Sequence, residues 1–289
     1  MNNKLLINLL LLVLVAILGL FAWLSPDAEQ QQVDRVTQVK PKAITTMLIK
    51  HPDGAVVSFE RRGEHWFMRQ PYALAANPVK MASLVRVVEA PALQSFPRPE
   101  QDRLGQFGLD RPIQLKLNGD EFLFGGIEPI SGHRYLLFNG RLMLIVDRFQ
   151  HLLSSTPERL LSHQLLPEGA DLEEIKAPDY HLKRTQQGWA LQSGQTDVGG
   201  DDLSKRVRQW RNAQALQIKP FEMAPEGAIV NVRLAGDTEI RYVIVTEQKR
   251  IWLIQPELKL GFLLPANSSL LQPITSSPPK PPAEKAGDA

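Results

Sequence analysis

The feature of this sequence that most constrains its fold is a similarity between two stretches of the chain. Residues 57–97 align with residues 180–220, a shift of 123 positions. The matched positions are Arg61 with Arg184, Trp66 with Trp189, Ala92-Leu93-Gln94 with Ala215-Leu216-Gln217, and Pro97 with Pro220. Repetition at a fixed spacing is typical of chains built from duplicated structural units. The sequence therefore predicts two tandem repeat units, at residues 43–168 and 169–272.

The first unit shows a predicted order of strands followed by one helix. Strands at 44–50 and 55–61 flank a turn, and a third strand passes through Trp66. Asn77 is placed to cap the helix and Pro78 to open it, because a missing N–H costs nothing at the first helical position. An apolar stripe with helical spacing follows at Met81, Leu84, Val85 and Val88.

The second unit repeats this pattern. We expect Asp201 or Asp202 to cap its helix, whose apolar stripe falls at Leu203, Val207 and Trp210. Alternating strands follow the helix in both units, at 113–117, 121–125, 134–138 and 142–147 and then at 229–234, 239–245, 250–254 and 258–264. The predicted fold class is α+β, with an N-terminal transmembrane helix followed by two tandem repeats, each a mostly antiparallel sheet with one packed helix.

An apolar run near the N-terminus predicts a membrane anchor. It begins at Leu5, ends at Leu24 and is interrupted only by Asn8. A helix of about 20 residues rises about 30 Å, which matches the hydrocarbon core of a bilayer. A cleaved signal peptide is the alternative, although its apolar region normally has only about 7–15 residues. Lys4 precedes the run and Asp27 follows it, so the positive-inside rule leaves the N-terminus in the cytoplasm.

These observations predict the domain organisation and the location of the protein. Residues 1–24 form a cytoplasmic stub and transmembrane anchor, and the polar residues 25–42 form a tether. The proline-rich residues 273–289 cannot build a core and are expected to be disordered. The expected location is the bacterial inner membrane, with the bulk of the chain in the periplasm.

Composition and motifs exclude several classes of function. The balance of 33 basic and 31 acidic residues argues against nucleic acid as a partner, and the absence of cysteine excludes disulfides and thiolate chemistry. No phosphate-binding glycine loop, dinucleotide fingerprint or hydrolase motif occurs. The six histidines show no metal-ligand spacing. The sequence therefore predicts no catalytic residue, no cofactor and no metal site.

One loop stands out because the second repeat lacks it. Residues 125–135 form a long connection rich in glycine and proline, whereas the second unit has only a short turn at 246–249. Functional residues often lie on such insertions. We therefore predict that His133, Arg134 and Tyr135 contact a partner, and the alternative is an inert loop. A second candidate surface is the basic helix face formed by Lys205, Arg208 and Arg211.

Several short motifs occur in a characteristic order. A G-x-x-W turn at residues 63–66 is followed by F-G-L-D-R-P at 107–112, and then by F-G-G and G-x-R-Y between residues 124 and 135. In this order they resemble the bacterial family of domain of unknown function 4340, most closely over residues 43–165. The resemblance implies an envelope-facing auxiliary protein, in some genomes associated with ABC-transporter components of the gliding type. It implies no catalytic residues.

The function expected from the sequence is a non-enzymatic, membrane-anchored interaction or scaffold protein. Its partner would be a protein of the envelope, and the resemblance implies a component of an ABC-type transporter. A sensor of a small ligand or lipid is one alternative, and it requires an apolar pocket. A hydrolase of unrecognised type is another, and it requires convergent carboxylates or histidines around the 126–135 loop. A structural spacer with no specific ligand is the third.

Overall fold

The computed structural model describes residues 11–17, 20, 34–193, 198–222 and 226–275. Residues 11–17 are helical. Within the described ranges, no helix combines the length and the apolar character that crossing a bilayer requires. Both ends of the predicted anchor, Leu5 and Leu24, lie outside the described residues, as do residues 25–33 of the predicted tether and 276–289 of the predicted tail.

The first half of the chain forms one antiparallel sheet of nine strands. The strands are β1 (Thr46–Lys50), β2 (Val56–Arg62), β3 (His65–Gln70), β4 (Leu74–Ala75), β5 (Gln94–Pro97), β6 (Ile113–Leu117), β7 (Asp120–Ile127), β8 (Arg134–Phe138) and β9 (Arg141–Ile145). Their order in the sheet is β4-β3-β2-β1-β6-β7-β8-β9-β5. Strands β4 and β5 are therefore the two edges.

The second half forms an antiparallel sheet of eight strands. They are β10 (Leu172–Ala177), β11 (Tyr180–Thr185), β12 (Gly188–Ser193), β13 (Gln217–Pro220), β14 (Ile229–Leu234), β15 (Thr238–Glu247), β16 (Arg250–Gln255) and β17 (Leu260–Leu263). Their order is β12-β11-β10-β14-β15-β16-β17-β13. Apart from β4, this order repeats that of the first sheet strand for strand.

The residues matched between the two halves occupy the same places in these sheets. Trp66 pairs with Arg61 between β3 and β2, and Trp189 pairs with Arg184 between β12 and β11. The backbone N–H of Leu93 donates to the carbonyl of Leu144 at 2.9 Å, just before β5. The corresponding bond before β13 runs from Leu216 to Leu263 at 2.8 Å. The sequence identities thus coincide with identical strand pairing.

Each half carries one main helix, α1 (Pro78–Val85) and α4 (Gly200–Arg211), and the short helices α2 (Gln150–Leu153) and α3 (Pro157–Leu160) lie between them. Asn77 caps α1 as predicted, because its side chain accepts a hydrogen bond from the N–H of Lys80 at 3.1 Å. The prediction for α4 was wrong. Its N-cap is Gly199, and both Asp201 and Asp202 already lie in the first turn, where their charge favours the helix dipole.

The apolar faces of both helices and one face of each sheet meet in one hydrophobic core. The predicted helix stripes are buried, at Met81, Leu84, Val85 and Val88 and at Leu203, Val207 and Trp210. Trp66 is only 7% exposed, whereas Trp189 is half-buried and packs against the edge of the core. Because the core runs through both halves, they form one packed unit.

The folded region extends beyond the boundaries that the sequence suggested. Val36, assigned to the tether, is buried and its N–H donates to the carbonyl of Ala90 at 2.9 Å. The carbonyl of Asp34 accepts a hydrogen bond from Ala92 at 2.7 Å. At the other end, Ile274 is buried in the core although it falls in the predicted tail. Single apolar residues in polar stretches thus extend the domain at both ends.

Candidate functional site

An open groove of about 640 Å³ lies on the face of the first sheet that points away from the main core. One wall is the 3-10 segment Gln101–Phe107, and the other is the turn at residues 128–133 between β7 and β8. The edge strand β5 closes its side. The groove therefore brings together the loop singled out in the sequence and an edge of the sheet.

Three neighbouring strands supply the floor of the groove. Phe96 on β5 pairs with Leu142 on β9, and Leu144 on β9 pairs with Tyr135 on β8. Side chains alternate between the two faces of a strand, so these residues point away from the main core while Met143 and Ile145 point into it. The floor is consequently a continuous apolar surface.

The 3-10 wall reaches the sheet through a close approach between backbones. Gly108 has a φ of +64°, and a Cβ atom there would lie 2.7 Å from the backbone nitrogen of Gly126. A Cβ atom on Gly125 would collide with the carbonyl oxygen of Phe107. Glycine permits this approach, which sets the Phe107 ring against Tyr135 at 5.0 Å between centroids. The F-G-L and F-G-G motifs thus form a single contact.

Arg134 lies beneath the groove, at its base. Its side chain is 9% exposed and donates to the carbonyl of Gly125 and, at 2.8 Å, to the carboxylate of Asp147. The hydrogen bond from Arg134 lowers the pKa of Asp147, and its positive charge adds to the effect against the opposing effect of burial. The guanidinium therefore joins Gly125 on β7 to Asp147 in the chain after β9, so its hydrogen bonds are made within this protein.

The turn at 128–133 is organised by one carboxylate. Glu128 accepts hydrogen bonds from the N–H groups of Ile130, at 3.1 Å, and Ser131, at 2.6 Å, and from the Ser131 hydroxyl, at 2.6 Å. These bonds, led by the one from the hydroxyl, lower the pKa of Glu128. A further bond joins the N–H of Glu128 to the carbonyl of His133 at 2.7 Å. The turn thus has a defined shape and presents Ile130, which is 96% exposed.

The three predicted contact residues divide into two groups. His133 and Tyr135 are half-buried and line the groove, whereas Arg134 is buried below it. Burial raises the pKa of the Tyr135 hydroxyl, and the charge of Glu128 adds to this shift. At neutral pH the groove therefore offers a neutral phenol beside an imidazole.

Sequence reasoning missed the remaining lining residues. Phe96 was not recognised because β5 has only four residues, too few for an alternating pattern to show. Leu142 and Leu144 were predicted as strand residues, but the face of the sheet on which they lie could not be assigned without the sheet order. A signal did exist in the proline that ends both edge strands, Pro97 and Pro220, because proline in a sheet is confined to edges.

The basic face of α4 was the second candidate surface. Lys205, Arg208 and Arg211 are exposed, and none of them forms an ion pair within the described residues. Lys205 and Arg208 border a shallow depression that the chain around Ser268 closes. Helix α4 has acidic residues in its first turn and basic residues in its last turn. This distribution of charge stabilises a helix because it complements the helix dipole.

The polar side chains at the turn beside the groove are those of Glu128, Ser131 and His133. The Ser131 hydroxyl donates to Glu128, and its oxygen accepts a hydrogen bond from the backbone N–H of His133 at 3.3 Å. No cluster of three potential metal ligands occurs in the described parts of the chain. What the groove offers is an apolar floor with a polar rim, which suits binding.

Fold and groove together define an α+β protein with two antiparallel sheets and an open apolar groove on one of them. The chain matches the family described as Domain of unknown function (DUF4340) over residues 66–223, which is more than half of its length. The chain therefore belongs to this family. No curated protein and no solved structure matches it.

Proposed function

We propose that this protein is a non-enzymatic, membrane-tethered interaction module whose groove on the first sheet binds a protein partner. The observation that carries the proposal is a concentration of exposed apolar side chains. Leu93 is 39% exposed, Phe96 43% and Ile130 96%, and all three border the groove. Exposed apolar surface with a polar rim is typical of protein interaction sites.

The shape of the groove favours a protein over a small ligand. A small-ligand site usually encloses most of its ligand, whereas this groove opens along an edge strand and a protruding turn. The phenol of Tyr135, the imidazole of His133 and the guanidinium of Arg103 lie among apolar lining residues. Such a mixture of aromatic and cationic groups is enriched in the energetic centres of protein interfaces.

The proposal also includes the architecture and the location. The shared strand order and the matched residues support two tandem repeat units that arose by duplication. The apolar run from Leu5 to Leu24 supports an anchor in a bacterial inner membrane, with the two sheets in the periplasm. The partner would then be another envelope protein, and a component of an ABC-type transporter is the first candidate.

The test is site-specific crosslinking in cells with the full chain. A photo-crosslinking residue at Ile130 should capture a membrane-associated protein, and the same residue at Ile229, which is 40% exposed on the second sheet, should not. The variant His133→Ala/Tyr135→Ala should lose that crosslink while its melting temperature stays within a few degrees of the parent.

Two outcomes would contradict the proposal. A crosslink from Ile130 that survives the double substitution would show that the groove is not the contact surface.

The anchor is tested separately, because the protein should stay in the membrane fraction after a high-salt wash. Release of a soluble form with a new N-terminus near residue 25 would contradict the tether.

A further inference from the structure

We infer that a basic depression beside the entry of the N-terminal segment binds the headgroups of anionic phospholipids. The inference rests on the membrane anchor of the proposed function, and it assigns a lipid-binding site to the folded domain itself. The depression has a volume of about 430 Å³ and lies between the end of α1 and the chain that follows β9. It is separate from the groove, because different residues line the two sites.

Two exposed arginines border the depression. Arg86 begins the 3-10 turn that continues α1. Arg148 lies in a tight turn after β9, where its N–H donates to the carbonyl of Val146 at 2.9 Å. Neither side chain forms an ion pair or a hydrogen bond within the described residues. Two guanidinium groups without a partner in this part of the chain therefore border the same cavity.

The acidic groups nearby leave a positive balance of charge. Glu89 is half-buried and lines the depression, and its carboxylate lies 3.8 Å from the guanidinium of Arg35. Asp147 is close in sequence, but its carboxylate is paired with Arg134 at 2.8 Å and does not line the depression. The two carboxylates thus have cations of their own, and the two arginines at the border remain uncompensated.

Apolar side chains lie between the charged ones. Val146 is half-buried and lines the depression together with the buried Phe149 and Ala90, while His151 is exposed at the border. A guanidinium is a planar donor that matches the geometry of a phosphate group. A cationic border above apolar side chains therefore fits a phospholipid headgroup, which carries a phosphate next to glycerol carbons.

The path of the chain supports a lipid as the occupant. The segment that comes from the proposed anchor joins the domain at this depression. Arg35 forms an antiparallel bridge with Pro91, and the N–H of Val36 donates to the carbonyl of Ala90 at 2.9 Å. Pro91 and Ala90 both line the depression. Attraction to an anionic surface fades within about 8–10 Å at physiological salt, so cations beside the attachment point are favoured over more distant ones.

The basic face of α4 has similar charges without this attachment. Lys205 and Arg208 are exposed and border a depression of their own. That depression is closed by the chain around Ser268 in the second unit, whereas the segment from the anchor pairs with the first unit. The α4 pair is therefore a matched control, because it has the same number of exposed cations at a different place.

Fluorescence quenching tests the inference on the full chain in lipid nanodiscs. The chain has no cysteine, so Ala82→Cys, an exposed position on α1 four residues before Arg86, carries a single dye. A nitroxide on the lipid headgroup should quench this dye more strongly when about one third of the phosphatidylcholine is replaced by phosphatidylglycerol. Arg86→Gln/Arg148→Gln should lower the ratio of docked to free domain about fivefold for each arginine removed, because a basic residue near an anionic surface contributes about 1 kcal/mol.

Two further pairs of substitutions separate a specific site from general effects of charge and folding. Arg86→Lys/Arg148→Lys keeps both charges and should retain the quenching, and Lys205→Gln/Arg208→Gln should retain it as well. Equal quenching in the two lipid mixtures would overturn the inference, as would unchanged quenching in Arg86→Gln/Arg148→Gln. Equal losses in both glutamine variants would also overturn it, because any exposed cation would then suffice.

Failure of this inference is distinct from failure of the proposed function. A chain that stays in the membrane fraction and keeps the crosslink from Ile130, but shows no lipid-dependent quenching, refutes the lipid site alone. If Arg86→Gln/Arg148→Gln leaves the quenching unchanged and abolishes the Ile130 crosslink, the arginines bind the protein partner and the lipid site is refuted.

Discussion

At the scale of single residues, Arg134 is the side chain that we expect to matter most for stability, because its charged guanidinium is buried. Its partners are the carbonyl of Gly125 and the carboxylate of Asp147, and they hold together the base of the groove. A motif that reads as a surface cluster thus contains one structural residue between two residues that line the groove. Burial of the middle position could not be predicted, because it depends on the fold of Asp147 back onto β8.

We expect Arg134→Leu to lower the free energy of unfolding by about 3–5 kcal/mol. Removing one partner of a buried ion pair leaves the other charge uncompensated. Chemical denaturation monitored by tryptophan fluorescence measures the change. Arg103→Leu is the matched control, because Arg103 is exposed and forms no ion pair within the described residues, and it should change stability by less than about 0.5 kcal/mol. Equal losses in both variants would contradict the structural role of Arg134.

A second residue-scale prediction concerns Glu174, a buried carboxylate on β10. Burial opposes its ionisation, but the hydrogen bond with His181 at 2.6 Å and the charges of Arg233 and Lys176 outweigh burial and lower its pKa. A carboxylate whose folded pKa is lowered contributes stability above its ordinary pKa of 4.5, and that contribution is lost as pH falls through the lowered value.

Glu174→Gln should therefore reduce the loss of stability between pH 6 and pH 3. The measurement is the free energy of unfolding from urea titrations across that range. Its neighbour Glu173 is half-buried and forms no ion pair within the described residues, so Glu173→Gln is the matched control for removing one carboxylate from β10. An identical pH profile for Glu174→Gln and the parent protein would refute the linkage.

At the scale of elements, the sequence predicted the strands and helices that alternate clearly, and missed the short ones. The predicted strand 113–117 and the cap at Asn77 agree with the structure. The edge strands β5 and β13 went unrecognised because four residues carry no readable period. The groove could not be predicted for the same reason, since β5 forms its side and the 3-10 segment forms its wall.

The contact between the 3-10 segment and β7 leads to a prediction about glycine. Gly125→Ala should destabilise the protein by about 1–3 kcal/mol, because the added methyl group must displace the Phe107 backbone. It should also weaken binding at the groove, since Phe107 would lose its place on Tyr135. Gly105→Ala, in the same segment, has open space around the added atom and should be neutral or slightly stabilising. Thermal melting of both variants decides the point.

At the scale of the whole molecule, the two sheets share one core. Residues from both halves contribute to it, and the Tyr242 hydroxyl donates to the carbonyl of Leu165 in the chain that links them. Repeat architecture alone would suggest two units that fold separately. The shared core and the connecting helices favour one cooperative unit instead.

We therefore expect residues 34–275 to unfold in a single transition. The calorimetric and van't Hoff enthalpies should agree, as they do for two-state unfolding. The isolated first half, residues 34–168, should lack a cooperative transition because its share of the core would face water. Two resolved transitions in the intact domain, or a cooperative first half alone, would show that the halves are energetically independent.

The attachment of the N-terminal segment has a consequence for where a partner can be found. The carbonyl of Asp34 accepts a hydrogen bond from the N–H of Ala92, and the next residue, Leu93, borders the groove. If the proposed anchor ends at Leu24, residues 25–33 are the linker between the bilayer and the folded domain. A fully extended linker of this length spans about 30 Å. The groove would then stay within a thin layer next to the membrane. Tethering would raise its effective concentration for binding to other proteins anchored in the same bilayer. The effective concentration would not rise for a partner that diffuses freely through the periplasm. Tethering would therefore favour binding to membrane-bound partners.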